Sequence, residues 1–477
     1  MTTTTNSHSR PAVTAALADW ITTAPRCVDA DVLARAYDGL RDTVACMVAG
    51  AGDEAAARIR QSMLAYGSGP SRVAGSHASA AAPWAAMANG MAAHVLDFDD
   101  NYLPAFTHAS AVLVPALLAL GDAHDSDGSA LIDAYIIGLE AHAFVGRGIG
   151  RQQYDLGWHS TSTVGCIGTA GACARLLGLD KTQTRHALSL AVSLASGPKV
   201  QFGSPAKPFH AGMAAHNAVL AATLAANGMT ARGDAIEGER GLLDLYAGQA
   251  DIDWAPLVTS LGAPLALAQF GLAPKLYPCC GSAHKILDGV LDLRAAHGFQ
   301  ASDVRQVDAL VGHGNLRNLC YPEPTQEMEA RFSLNYCVAL ALKFGALKLA
   351  DFTPSAVDRA EVRALLPLTN MRAYPVGAEG ADSTVRLAHE VSIELHDGSR
   401  LNQRVDSARG TFERPFTEAE KRAKFDDCCA AQLPRARQQS LETALQEINT
   451  LPSIRNLTES LQFDAGADRG ERFQRAA

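Results

Sequence analysis

Aromatic and charged residues are scarce in this chain of 477 residues. Only 6% of the residues are aromatic and 19% are charged, while 48% are hydrophobic and the formal net charge is -9. The basic residues form no long run that would neutralise a nucleic-acid backbone, so nucleic acid is not expected as a partner. This length and composition are typical of a globular protein that buries more than one core.

Long hydrophobic runs are also missing. Apolar stretches such as SAVLVPALLALGD are short, and Pro115 interrupts this one, so none is typical of a membrane-spanning helix. The opening segment MTTTTNSHSR lacks the apolar core of a signal peptide. We therefore expect a cytoplasmic protein without a membrane partner, with residues 1–10 as a disordered tail.

The ten cysteines lack the spacing of a zinc site. They stand singly in apolar helical contexts or next to each other, as Cys279 with Cys280 and Cys428 with Cys429, whereas zinc sites need ligand pairs separated by two or more residues. Disulfides are not expected either, because nothing indicates an oxidising compartment. The cysteines are therefore predicted to be free, mostly buried thiols, and no metal site is assigned.

Glycines and short polar turns divide the first part of the chain into helical patterns. DADVLARAYDGLRDTVACMVAGAG begins with an aspartate cap, repeats apolar residues at helical spacing and ends in glycine. Later, VRQVDALVGHG predicts a strand, and HEVSIELHDGSRLNQRV predicts a hairpin with Asp397 and Gly398 in a type I′ turn. Helical signals then return, and Thr417 is expected to cap a helix.

These patterns predict a mainly α fold, in which a large all-helical domain built from both chain ends carries a smaller inserted α/β lid domain. The predicted boundaries are 11–270 plus 406–460 for the helical domain, 271–405 for the lid domain and 461–477 for a loose tail. The junction between the domains is a favoured place for a ligand cleft.

Three carboxylates follow an apolar run in AHVLDFDDN, at Asp97, Asp99 and Asp100. The spacing excludes a calcium loop of the EF-hand type. If the preceding helix continues, Asp97 and Asp100 share one face at i,i+3, so at most two carboxylates converge. A solvated helix end is the simplest interpretation, but carboxylates at a helix C-terminus oppose the helix dipole, and this local cost is a hint of an acid/base centre.

Three further stretches carry polar groups in apolar surroundings. GRQQYDLGWHSTSTVG places Tyr154, His159 and Thr161 between two helical patterns, where they suit proton transfer or carboxylate binding but also ordinary helix capping. In GSPAKPFHAG, Lys207 can bind an anion, although a lone lysine is usually a surface residue. PKLYPCCGSAHKILDG places Lys275 near the predicted domain boundary.

Taken together, these stretches resemble segments of the MmgE/PrpD family, which includes 2-methylcitrate dehydratases, cis-aconitate decarboxylases and iminodisuccinate epimerase. The resemblance covers nearly the whole chain, through ANGMAAHVLDFDD, GWHSTSTVGCIGTAGACARLLGLD, KPFHAGMAAHNAVLAA, KLYPCCGSAHKILDG, EARFSLNYCVALAL and RPFTEAEKRAKF. It implies a large helical domain with a smaller α/β lid, a homodimer and no nucleotide or organic cofactor.

The resemblance also implies which residues line the cleft. They are Asp97, His108, His159, Lys207 and His284, with Tyr336 near the same cleft and Tyr154 as a further proton donor or acceptor. Around the aspartates, Asn101 and Leu103 stand where the decarboxylase-like pattern has threonine and histidine. Our candidate catalytic residues are Asp97, His159, Lys207, Tyr154 and His108, and our candidate substrate-binding residues are Asn101, Thr161, Lys275, His284 and Tyr336.

The working hypothesis is a cofactor-independent lyase, a dehydratase or decarboxylase, that moves a proton next to a carboxylate of a small di- or tricarboxylate. Such reactions pass through a carbanion-like or enolate-like species, which carboxylate-binding cations and placed proton carriers stabilise. Three alternatives stay open: a two-base epimerase of an iminodisuccinate-like substrate, a non-catalytic helical scaffold, and a lyase whose divalent metal is bound by Asp97 and Asp100.

Overall fold

The computed structural model describes residues 11–247, 253–378 and 387–466. The predicted disordered tail, 1–10, lies outside these residues, as does 467–477. The first part of the chain is helical and includes a short antiparallel pair, β1 (Ser71–Arg72) with β2 (Ser79–Ala80). Its helices are α1 (Val13–Thr23), α2 (Ala30–Ala51), α3 (Glu54–Leu64), α4 (Ala82–His94), α5 (Ala109–His124), α6 (Gly128–Ile149), α7 (Gln152–Leu156), α8 (Ser160–Leu176), α9 (Lys181–Leu194), α10 (Ala206–Ala226), α11 (Leu242–Tyr246), α12 (Ala255–Thr259) and α13 (Ala266–Phe270).

Helix α2 illustrates how the sequence patterns produce these helices. The Asp29 carboxylate accepts hydrogen bonds from the backbone N–H groups of Asp31 and Val32, and so caps the N-terminus. The helix ends before Gly52, as the sequence predicts. From Thr43 onward every residue of the helix is buried, which places its second half inside the helical core.

Helices α4 and α10 cross with their backbones in contact. A Cβ added to Gly90 would lie 2.8 Å from the Cα of Gly212, and a Cβ added to Gly212 would lie 2.4 Å from the carbonyl oxygen of Met87. Any larger residue at either glycine would push the helices apart. The crossing therefore fixes the distance between the loop that follows α4, which carries Asp97, and the start of α10, which carries Lys207.

A mixed four-stranded sheet forms in the middle of the chain, in the order β4 (Thr369–Ala373), β3 (Val304–Val311), β5 (His389–Leu395) and β6 (Arg400–Val405). Strands β3 and β4 are parallel, whereas β5 is antiparallel to both β3 and β6. Helix α14 packs against β5, β6 and α17. The helices of this region are α14 (His284–His297), α15 (His313–Asn318), α16 (Glu327–Ala330), α17 (Leu334–Phe344), α18 (Pro354–Val357) and α19 (Ala360–Arg363).

The predicted hairpin is confirmed, but the predicted turn type is wrong. Strands β5 and β6 pair in antiparallel register through Ile393 with Leu401. A type I′ turn needs positive φ at both central residues, whereas in the turn between these strands only Gly398, with φ of 86°, is positive. The Gly398 N–H donates to the Leu395 carbonyl, so Asp397 lies in a turn of ordinary hand that Gly398 closes.

The chain then returns to the helical part through α20 (Glu418–Ala430), α21 (Arg435–Gln446) and α22 (Arg455–Thr458). Thr417 caps α20 in a capping box with Glu420, as predicted. Helix α20 packs against α2, so residues from both ends of the chain share the helical core. The prediction of a loose tail from residue 461 is wrong at its start, because Leu461 and Phe463 are buried.

Two further expectations can be compared with the described residues. All ten cysteines are free, and most are buried, as predicted. One helix in the described part of the chain, Gly128–Ile149, is long and apolar enough to cross a membrane. In the fold, 89% of its apolar window is buried, so it packs as a core helix.

Candidate active site

The loop after α4 separates the three aspartates. Helix α4 ends at His94, so the expectation that Asp97 and Asp100 share a helical face is wrong. Asp97 has φ of 51°, in the left-handed region that residues with a Cβ seldom adopt. The chain turns sharply there, and the carboxylates of Asp97, Asp99 and Asp100 reach different partners although all three are buried.

Asp97 lies between two lysines. Its carboxylate accepts a hydrogen bond from Lys207 Nζ and lies 3.1 Å from Lys275 Nζ, which also donates to the Asp97 carbonyl oxygen at 3.0 Å. All three residues are at most 2% exposed. Burial alone would raise the pKa of Asp97, but the two ammonium groups outweigh it and hold that pKa well below its usual range. Asp97 is therefore an ionised carboxylate that holds both lysines in place.

Asp99 is shared by two histidines. Its Oδ2 lies 2.8 Å from His94 Nδ1 and 3.2 Å from His108 Nδ1. Burial alone would raise the pKa of Asp99, but the two imidazoles and Lys275 bring it well below its usual range. The three donor atoms lie within 4.8 Å of one another, as they would around a metal ion. However, Lys275 Nζ lies 3.9 Å from the other Asp99 oxygen, and its charge opposes a cation there.

Asp100 contacts neither lysine through its side chain. Its carboxylate accepts hydrogen bonds from the hydroxyl and the backbone N–H of Ser110, and the hydroxyl also contacts Tyr135. Burial raises the pKa of Asp100 to about 7, even though Ser110 opposes the shift. Asp97 and Asp100 therefore do not converge on one point, and the alternative in which they bind a metal ion together is not supported.

His159 and Tyr154 also lie at the cleft. The Nδ1 atoms of His159 and His210 are 3.1 Å apart, so one ring donates to the other. Burial, with help from Lys207, lowers the pKa of His159 well below its usual value, so this ring is neutral. Burial raises the pKa of Tyr154, and its hydroxyl accepts a hydrogen bond of 2.9 Å from Asn318 Nδ2. Tyr154 therefore keeps its proton and can donate it.

A cavity of about 350 Å³ is lined by Asp97, His108, Tyr154, His159, Lys207 and Lys275, among other residues. Residues from the first helices and from the segment around the sheet both contribute to its wall. Cationic side chains outnumber carboxylates in the lining, which favours an anionic ligand. The cations are Arg151, Lys207, Lys275, Lys285 and Arg409, and the carboxylates are Asp97, Asp406 and Glu413.

Helix N-termini add to the positive character of this cavity. His108 directly precedes α5, His159 directly precedes α8, and Lys207 is the second residue of α10. All three residues line the cavity. The partial positive charge of each helix N-terminus therefore lies at the cavity and favours negative charge on a ligand there.

The structure brings most of the predicted site residues to this cavity. Those in the lining are Asp97, Asn101, His108, Tyr154, His159, Lys207, Lys275 and His284. Thr161 lies behind it, where its hydroxyl accepts a hydrogen bond of 3.0 Å from the backbone N–H of His108. The placement of Tyr336 at the cleft is wrong, because its hydroxyl donates to the Asp351 carbonyl away from the lining residues. Sequence reasoning missed His94 and Asn318.

Comparisons with known proteins identify relatives over nearly the whole chain. Residues 15–255 match the MmgE/PrpD N-terminal domain, and residues 277–450 match the MmgE/PrpD C-terminal domain. The chain is 27% identical to the cis-aconitate decarboxylase of Mus musculus, over 93% of the chain and 91% of that protein. It is 30% identical to the Homo sapiens cis-aconitate decarboxylase over 72% of the chain and 71% of that protein. It is 25% identical to that of Aspergillus terreus (strain NIH 2624 / FGSC A1156) over 96% of the chain and 97% of that protein.

The relatives span almost the same length as this chain and carry the name of a lyase, which supports a lyase-type enzyme. The two matched domains follow each other in the chain and cover most of it. The chain therefore belongs to the MmgE/PrpD family.

Proposed function

We propose that the protein is a lyase that acts on a small di- or tricarboxylate, and that decarboxylation of cis-aconitate or a similar acid is its reaction. The names of its relatives support this choice. The observation that carries the proposal is the buried pair of lysines that share Asp97 at the cavity wall. Two desolvated ammonium groups form a strong binding site for the carboxylates of such a substrate.

Negative charge develops on carbon when a carboxylate leaves as carbon dioxide. The C–C bond breaks, its electron pair stays on the substrate and spreads into the neighbouring unsaturated group, and a proton then bonds to carbon. Lys207 and Lys275 are placed to stabilise this charge, because Asp97 fixes them before the substrate binds. His108, His159 and Tyr154 are the candidate proton carriers.

Departures from the decarboxylase-like pattern bear on substrate choice. Asn101 lines the cavity, and its backbone N–H and carbonyl pair with those of Ala273. It thereby joins the aspartate loop to the segment that carries Lys275. Leu103 lines the same cavity and offers no hydrogen bond to a substrate. Leu103 therefore suits a substrate with one polar group fewer at this wall than the histidine of the pattern would accept, while Asn101 keeps a hydrogen-bonding side chain in the lining.

The proposal also assigns a lid and an oligomeric state to the protein. Residues 271–405 act as a lid, since this segment supplies Lys275, His284 and Asn318 to a cavity whose other wall is helical. The protein works as a cytoplasmic homodimer without a metal or organic cofactor. Sedimentation of the purified protein tests the dimer, and activity retained after dialysis against a chelator tests metal independence.

Proton NMR in deuterated water tests the reaction. Purified protein is mixed separately with cis-aconitate, methylcitrate and iminodisuccinate. We expect loss of carbon dioxide from a cis-aconitate-like acid, with one solvent deuteron bound to carbon in the product. Loss of water would select a dehydratase, and deuterium exchange at the α-carbon without loss of a group would select an epimerase. No turnover or exchange with any of the three acids would contradict the proposal.

Substitutions separate an enzyme from a helical scaffold. Lys207→Ala and Asp97→Asn are expected to abolish turnover, because they remove one of the paired ammonium groups or the carboxylate that fixes both. Lys181→Ala is the matched control, since Lys181 is an exposed lysine of α9. Equal activity of the Lys207 and Lys181 variants would contradict a catalytic role for this cavity.

A further inference from the structure

His94 and Asp99 lie directly behind the cavity and belong to none of the roles assigned above. Asp99 is fully buried and His94 is 1% exposed. Both contact His108, which does line the cavity: Asp99 through its carboxylate, and His94 through its ring, with the two ring centroids 4.4 Å apart. A buried carboxylate that bridges two imidazoles controls where the protons of both rings reside.

The geometry fixes the tautomer of His108. Its Nδ1 faces two oxygen atoms, the Asp100 carbonyl at 2.8 Å and Asp99 Oδ2 at 3.2 Å. Both oxygens are hydrogen-bond acceptors, so Nδ1 must carry a proton. An unprotonated Nδ1 would place its lone pair against the lone pairs of both oxygen atoms at contact distance. In the neutral ring the remaining lone pair is then on Nε2.

We propose that His94 and Asp99 are positioning residues that, together with the Asp100 carbonyl, hold His108 in the Nδ1–H tautomer, so that Nε2 is the atom that exchanges a proton with the substrate. This inference rests on the proposed function, since it names the proton carrier of that reaction. His94 has a supporting role: its Nδ1–H donates to the same Asp99 oxygen and keeps the carboxylate oriented. An aspartate that orients a histidine in this way also stabilises the imidazolium that forms during proton transfer.

The charges around His108 determine its protonation state before the substrate binds. Lys207 on α10 and Lys275 on the facing segment lower the pKa of His108 further after burial has lowered it, while Asp99 opposes both. The His159 ring is neutral, and its centroid lies 6.5 Å from that of the His108 ring. His108 is therefore neutral in the free enzyme near neutral pH.

The proton balance of the step follows from that state. A polyanionic substrate raises the pKa of His108, and Nε2 takes one proton from solvent. When the carboxylate leaves as carbon dioxide, its electron pair stays on the substrate. The Nε2 proton then bonds to carbon, and His108 returns to its neutral form.

Nitrogen-15 NMR of histidine-labelled protein measures the tautomer without any substrate, so it distinguishes this inference from the proposed function. His108→Gln assigns the resonance. In the wild type we expect a protonated Nδ1 and an unprotonated Nε2 for His108. An unprotonated Nδ1 would overturn the inference, whatever reaction the enzyme catalyses.

Two sets of variants test the positioning role. In Asp99→Asn the new amide can donate to His108 Nδ1 in competition with the Asp100 carbonyl, which stays an acceptor at 2.8 Å. We therefore expect part of the His108 population to shift to the Nε2–H tautomer and kcat to fall by about 10²-fold or more with little change in KM. Asp133→Asn is the control, because Asp133 is a buried, ion-paired carboxylate on α6 outside the site. We expect it to leave kcat and the His108 spectrum unchanged.

His94 is tested by a matched pair of substitutions. In His94→Asn an amide N–H replaces the Nδ1–H donor to Asp99, whereas His94→Leu removes the donor. We expect His94→Asn to retain most of the kcat that His94→Leu loses. Equal losses in both variants, or a lower kcat in Asp99→Asn with an unchanged His108 spectrum, would overturn the positioning role.

Discussion

Removal of the Asp97 carboxylate should destabilise the protein as well as inactivate it. In Asp97→Asn the side chain keeps its shape, but the negative charge between Lys207 and Lys275 is lost. Lys275 retains the Asp97 carbonyl oxygen at 3.0 Å and Asp99 at 3.9 Å. Lys207 loses its ion-pair partner, and the positive charges of both lysines remain buried beside each other.

The size of the effect follows from this burial. Lys207 and Lys275 are at most 2% exposed, so water cannot replace the lost carboxylate without opening the site. Breaking a buried ion pair by removing one partner costs about 3–5 kcal/mol. We therefore expect the free energy of unfolding to fall by about that amount near neutral pH. The control Asp133→Asn should lose less, because Arg175 keeps three backbone carbonyl acceptors in helix α1 and just after it.

The difference between wild type and Asp97→Asn should depend on pH in a defined direction. Asp97 has a lowered pKa in the folded state, so its contribution is present above the unfolded pKa of about 4 and is lost as pH falls through the folded pKa. The pKa of Lys275 is raised by Asp97 and Asp99, which outweigh burial. Its contribution is therefore present below an unfolded pKa of about 10 and is lost as pH rises through the folded pKa.

Urea unfolding monitored by tryptophan fluorescence at several pH values measures this difference. It should be largest between about pH 5 and pH 9 and should shrink on both sides of that range. A loss of less than about 1 kcal/mol near neutral pH would refute the buried ion-pair account, because that is the size expected for an exposed pair.

Three further predictions concern neighbouring groups. Because burial raises the pKa of Asp100 to about 7, its ionisation should cost about 4 kcal/mol of unfolding free energy as pH rises from about 4 to about 8, and Asp100→Asn should gain that much relative to wild type in urea unfolding across this range. A difference in unfolding free energy between Asp100→Asn and wild type that does not change with pH would contradict the raised pKa of Asp100. Tyr154→Phe removes the hydroxyl that accepts from Asn318, and we expect kcat to fall by about tenfold or more while the melting temperature changes little; unchanged kcat would exclude Tyr154 as a proton donor. Thr417→Ala removes the α20 cap and should lower the free energy of unfolding by about 1 kcal/mol in the same assay, whereas Thr417→Ser should keep most of the wild-type stability.

Local signals in the sequence predict much of this site. His159 and Lys207 stand at or just ahead of the start of a helical pattern, and the structure places both at a helix N-terminus. His108 and His284, which the family resemblance implied, also lie at or next to a helix N-terminus. Helix starts can be read from capping and periodicity because they depend on neighbouring residues. The family resemblance supplied the expectation that these starts meet at one cleft.

Contacts between distant residues could not be read from the sequence. Lys207 is 110 residues from Asp97 and Lys275 is 178 residues from it, so their convergence depends on helix packing. His94 was missed because it ends an apolar helix and has no polar neighbours in its last turn; its spacing of five residues from Asp99 is the signal that could have identified it. In a continuous helix, residues five positions apart do not lie on one face, so this spacing indicates a contact only because α4 ends at His94.

The backbone contact between α4 and α10 determines which part of the site can be changed to alter its specificity. Residues positioned by this contact must stay in place, whereas other lining residues can be substituted. Substituting Gly90 or Gly212 would move Asp97 relative to Lys207 and alter every step that uses them. The segments at 273–285 and 406–413 also line the cavity, and a Cβ added to Gly281 or Gly410 within them would meet residues outside α10. A library intended to redirect this enzyme to another acid should therefore vary the lining residues of those two segments other than Lys275 and His284, and keep both glycines.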